Sequence, residues 1–158
     1  MLRLVDAAYA LVAAGGDERL RFSVSFALFE YALKECIAVD ERGGRAFANW
    51  PEFERRRDDL AVLGDAETAS AVRRLLARPP KVQMASGGHA VFRDRPLEGT
   101  QNQCICEALR RIRNSLFHGG KQPYTADDAE RVRLGLQIIG GYLAVHDDLR
   151  AAFEMGMR

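Results

Sequence analysis

Apolar residues recur at helical spacing along most of this chain. Leu2, Leu4, Val5, Ala8, Leu11 and Val12 predict a first helix that ends at Gly15-Gly16. Asp17 follows as the expected cap of a second helix reaching about Ala38, because an aspartate carboxylate accepts from the free amides of a first turn. Phe22, Phe26, Phe29, Leu33 and Ile37 form its inward stripe, and no proline interrupts it. It is the expected central packing helix.

The pattern breaks from Asp40 to Pro51, where Gly43-Gly44 and Asn49-Trp50-Pro51 carry turn chemistry. Pro51 suits the first turn of a short helix to about Leu60, and Ala66 to Arg78 reads as another helix, stopped by Pro79-Pro80. Between Pro80 and Thr100 the helical period is lost; Ser86-Gly87-Gly88 and Arg95-Pro96 mark an irregular insertion with room for a brief extended piece at Ala90-Val91-Phe92. His89, Arg93 and Arg95 lie in it, as a plain surface loop or as cover for a bound phosphate.

Ile105, Leu109, Ile112 and Leu116 then predict an amphipathic helix from about Gly99 to Phe117, closed by Gly119 or Gly120. After a turn at Gln122-Pro123-Tyr124, Thr125 and Asp128 form an imperfect capping box for a last helix. Val132, Leu136, Ile139, Leu143 and Phe153 carry it to near the C-terminus, with His146 on its apolar side as a core histidine or a second active-site imidazole. The expectation is an all-α chain.

Length changes the picture little: 158 residues suit a single domain over 1–158. The net charge of +1 does not make a strongly basic nucleic-acid binder, so any RNA contact must come from a local patch. Arginine outnumbers lysine 20 to 3, which codon bias explains, except where placement at Arg110, Arg111 and Arg113 favours a phosphate-facing surface. Arg55-Arg56-Arg57 reads as a solvated face and Trp50, the single tryptophan, as a packed one.

Cys36, Cys104 and Cys106 form no zinc-ligand spacing, and on a helix the last two point about 200° apart. They are expected as reduced thiols in a cytoplasmic protein, with no metal and no cofactor. No apolar run approaches a membrane span, G-x-S-x-G and H-E-x-x-H are absent, and no internal repeat occurs.

One stretch concentrates chemistry: Arg110-Arg111-Ile112-Arg113-Asn114-Ser115-Leu116-Phe117-His118-Gly119-Gly120-Lys121. At a helix end the partial negative charge favours an imidazolium at His118, while Arg110, Arg111, Arg113 and Lys121 oppose it. An imidazole held near neutrality by opposing influences suits a general acid or base. An arginine beside it can stabilise charge on a pentacoordinate phosphate, and Asn114 can orient either group. On a straight helix Arg113 and His118 lie about 140° apart, so the helix distorts or a second copy supplies the facing group.

Arg113, Asn114 and His118 resemble the signature of the HEPN superfamily, in which a polar residue follows the arginine directly and four to six residues lie between the arginine and a histidine. Here four residues separate Arg113 from His118, and Leu116 to Lys121 is similar to the extended form of small single-domain members. The resemblance implies an up-and-down helical bundle of four to five main helices and a homodimer whose motifs meet in a shared basic cleft. It further implies metal-independent endoribonuclease activity, with RNA as substrate, in a toxin–antitoxin or phage-defence setting. Arg113, Asn114 and His118 would be catalytic; Arg110, Arg111 and Lys121 would bind substrate; Glu30, at the edge of the second helix's stripe, would fix Arg113 or else pair with Lys34. The resemblance extends to a cognate antitoxin as partner, but where some toxin members carry a tyrosine two residues past the histidine, the target of a nucleotidyltransferase antitoxin, this chain has Gly120 and departs from the pattern. Two readings compete: a HEPN module that dimerises or binds nucleotide or RNA without cleavage, and a helical protein whose Arg113 and His118 merely satisfy helix-end groups.

Overall fold

The computed structural model describes residues 17–56, 60, 64–117 and 124–158. The expected first helix, Arg57, His118, the capping glycines, Lys121 and the Gln122-Pro123 turn lie outside them. The described chain is mostly helical, with two small antiparallel hairpins. Its elements are α1 (Glu18–Cys36), β1 (Asp40–Arg42), β2 (Arg45–Phe47), α2 (Trp50–Arg56), α3 (Ala66–Ala77), β3 (Val82–Ser86), β4 (His89–Arg93), α4 (Gln101–Phe117), α5 (Ala126–Val145) and α6 (Asp147–Met155).

Local chemistry sets most boundaries. Asp17 accepts from the Arg19 amide at 2.9 Å to start α1, and Asp65 accepts from Thr68 at 2.7 Å to start α3. Thr125 and Asp128 close a reciprocal capping box on α5. The stripe expected on α1 is buried in full. It is α5, however, that is most enclosed: its buried residues run around the helix instead of along one stripe, and it packs on α1, α3, α4 and α6.

Two expectations need correction. The polar segment 40–47 and the supposedly irregular 82–93 are hairpins, each turned by a glycine pair: Gly43 and Gly44 at φ 58° and 73°, Gly87 and Gly88 at 57° and 80°. Two consecutive positive φ values fit the tight turns that match strand twist, and glycine adopts them without a Cβ clash. The last helix is also two, because His146 is extended at φ −126°, ψ 98°. Its ring stacks on Tyr142 at 6.3 Å, half-buried.

An aromatic cluster fills the middle of the core. Phe29, Phe53 and Tyr142 lie 5.2 to 5.7 Å apart by ring centroid, and Trp50 stacks on Phe26 at 5.7 Å. Trp50 is therefore packed, at 6% exposure. Ile105, Leu109 and Ile112 of α4 join this core, and so place the next residues, Arg113 and Asn114, at its edge. Among the described residues no helix is long and apolar enough to cross a membrane.

Candidate active site

The last two turns of α4 carry Arg110, Arg111, Arg113 and Asn114, and α4 packs on α1 and α2. Arg113 donates from Nη1 to Asn114 Oδ1 at 2.9 Å, and its Nη2 lies 3.7 Å from Glu30 Oε2. Its guanidinium also sits over the Phe26 ring at 5.7 Å, a cation–π placement, and the side chain stays partly exposed. Glu30 is held in turn by Trp50, whose indole N–H donates to Oε1 at 3.3 Å. So α1 supplies the carboxylate, α2 the indole that orients it, and α4 the arginine and amide.

The other basic residues are differently placed. Arg110 donates to Glu54 at 3.2 Å, lies 3.1 Å from Glu107, and stacks over Trp50 at 5.4 Å. Burial raises the Glu54 carboxyl above its ordinary value; Arg110 opposes this, and the charge on Glu107 adds to it. Arg111 is 6% exposed. Its guanidinium donates to Glu107 at 2.9 Å and to the backbone carbonyls of Arg95 at 2.7 Å, Pro80 at 3.3 Å and Pro96 at 3.4 Å. This side chain is a clamp between α4 and the segments flanking the second hairpin, and its donors are turned inward, away from any substrate phosphate.

Within one chain, then, Arg110, Arg111 and Arg113 face Glu30, Glu54 and Glu107, and the three positive charges are matched by three negative ones. Arg113 is the most exposed of the three arginines and has the longest pairing, so it is the cation best able to exchange its carboxylate for a phosphate. His118 and Lys121 lie outside the described residues. His89 is exposed at the start of β4 and does not join this group. Arg55 and Arg56 pair with Glu52 on the surface of α2, holding its carboxyl down at about 2 through their hydrogen bonds.

Three partners of these arginines and of Glu30 are not among the residues expected at the site, for two different reasons. Glu107 was legible, since it stands three and four residues before Arg110 and Arg111, the spacing of helical ion pairs. Glu54 and Trp50 carried no such signal, because only tertiary packing brings α2 against α4. Comparison with known protein families, characterised proteins and solved structures finds no match to this chain.

Proposed function

We propose that the chain is a metal-independent endoribonuclease of HEPN type, an up-and-down helical bundle acting as a two-fold dimer. The observation that carries the reading is Arg113: a guanidinium at the core's edge, bound to Asn114 and aimed by Glu30, with four residues between it and His118 in the sequence. In this mechanism His118 takes the proton from a ribose 2′-hydroxyl, and the 2′-oxygen attacks the adjacent phosphorus. Arg113 stabilises the added negative charge of the pentacoordinate phosphate. The 5′-oxygen then leaves with a proton supplied by a histidine, that of the second subunit where the motifs face each other across the two-fold axis. The products are a 2′,3′-cyclic phosphate and a 5′-hydroxyl.

Glu30 acts through Arg113, and Trp50 through Glu30. A cognate antitoxin and a cytoplasmic defence role belong to the same proposal. The chemistry is tested with a labelled single-stranded RNA, a copy deoxy at each 2′ position, and identification of product ends. The RNA should yield cyclic phosphate and the deoxy copy nothing. Glu30→Gln should lower turnover about tenfold with the fold intact; an unchanged Glu30→Gln removes that residue from the site.

A second reading is favoured by one specific observation. The balance of three arginines against three glutamates weakens the attraction for a polyanion, which suits a HEPN module that dimerises or binds nucleotide without cleaving. Stabilisation of the folded protein by nucleotide, with no cleavage of any RNA, identifies it.

A further inference from the structure

The insertion between α3 and α4 does more than connect helices. Its two flanks, Arg78 to Pro80 and Asp94 to Pro96, come together against α5 and leave an open cleft of about 360 Å³ lined by Arg78, Pro79, Asp94, Arg95, Pro96 and Arg131. Both walls are fixed from behind by the buried Arg111, whose guanidinium holds the carbonyls of Pro80 on one side and of Arg95 and Pro96 on the other. The cleft is therefore pre-formed, so a ligand does not have to order it.

Its donors are only partly used. A guanidinium has five N–H groups. Arg78 gives Nη2 to Asp127 at 3.1 Å; Arg131 gives Nε to the Arg78 carbonyl at 3.4 Å and approaches Asp128 with Nη1 at 3.7 Å. The Arg131 bond also satisfies a carbonyl at the end of α3, where partial negative charge would otherwise repel an anion. The Arg95 guanidinium has no partner among the described residues. Asp94, the one acid in the lining, is strongly exposed and lies 3.8 Å from Lys81. Three arginines thus converge with spare donors between two proline walls, and the Arg95 guanidinium is the one of them that no carboxylate among the described residues engages.

We infer that this cleft binds a phosphate-bearing anion, as a free polyphosphate or as the phosphodiester backbone of a nucleic acid, through Arg78, Arg95 and Arg131. The site is independent of whether the motif cleaves RNA.

Isothermal titration of the purified full chain at low salt tests it, using inorganic pyrophosphate in one arm and a short 2′-deoxy oligonucleotide in the other. Saturable binding is expected, weakened about tenfold by Arg95→Ala and by Arg131→Ala and unchanged by Arg55→Ala on α2. If Arg131→Ala does not fold, Arg95→Ala, at an exposed position, decides. Binding of both probes with the same dependence assigns the site to nucleic-acid backbone, and binding of pyrophosphate alone assigns it to a free polyphosphate. The inference is overturned if neither probe binds, if Arg95→Ala binds as wild type does, or if Arg55→Ala loses as much as Arg95→Ala.

Discussion

Replacing Arg111 by alanine should destabilise the fold, and the size of the loss follows from its partners. The substitution removes two short hydrogen bonds, to Glu107 at 2.9 Å and the Arg95 carbonyl at 2.7 Å, and two longer ones at 3.3 and 3.4 Å. At about 1.5 kcal/mol for each short bond and about 0.5 kcal/mol for each long one, the gross loss is about 4 kcal/mol. Water entering the vacated space recovers part of it at the three exposed carbonyls, leaving about 2–3 kcal/mol. For a chain of this size that lowers Tm by about 5–10 °C. Arg111→Lys, which keeps the charge but not the planar fork, should lie between wild type and alanine. Arg113→Ala is the internal contrast: partly exposed, with one long ion pair and a hydrogen bond to the neighbouring Asn114, it should cost no more than about 1 kcal/mol. Urea unfolding followed by far-ultraviolet circular dichroism measures all three. An Arg111→Ala protein within about 0.5 kcal/mol of wild type would refute the clamp, and with it the idea that the cleft is pre-formed.

Other perturbations have equally definite signs. Gly135→Ala gains about 1 kcal/mol of helix propensity, but its Cβ would stand 2.6 Å from Phe22 Cε2 and 3.2 Å from Ile112 Cδ1 in the core; the net result in a thermal melt should be a loss of about 1–2 kcal/mol. Hydrogen bonds from Thr68 hold the Asp65 carboxyl below its ordinary value, so its capping contribution is present above that value and lost as pH falls through the lowered one. Asp65→Ala should therefore cost about 1 kcal/mol at pH 7 and progressively less in acid, and an equal penalty at pH 2 would contradict this. Burial pushes the Cys106 thiol up to about 12, so a disulfide reagent at pH 8 should label Cys36 and Cys104 in the native protein and Cys106 only on unfolding.

Helices α1, α3, α4 and α5 were legible because they carry apolar stripes at helical spacing and local start or stop signals. The phenylalanines of α1, the caps at Asp17 and Thr125, and the proline stop after α3 are local signals that tertiary packing did not override. The hairpins were harder. Gly43-Gly44 and Gly87-Gly88 announce tight turns, but Asp40-Glu41-Arg42 has no apolar alternation to mark a strand, since these short ribbons bury almost nothing. His146 stood at helical spacing, and only the two aspartates after it, which favour a new first turn, hinted at the break.

At the site, the cluster of arginines was visible but the use of each was not. Arg110, Arg111 and Arg113 are equivalent as letters. Their roles diverge because α4 turns Arg111 toward the insertion, Arg110 toward Glu54 and Arg113 toward Glu30. Sequence periodicity distinguishes inside from outside, whereas it does not say which neighbour waits on the inside.

The ribonuclease proposal stands or falls on Arg113 and His118 acting together. Cleavage of a labelled single-stranded RNA in excess EDTA, with wild type beside Arg113→Ala and His118→Ala, measures this directly. Cyclic-phosphate product from wild type, reduced about a hundredfold or more in each variant while all three unfold at similar urea concentrations, is the predicted result. Equal cleavage by all three proteins, or none by a folded wild type across varied RNAs, would contradict it.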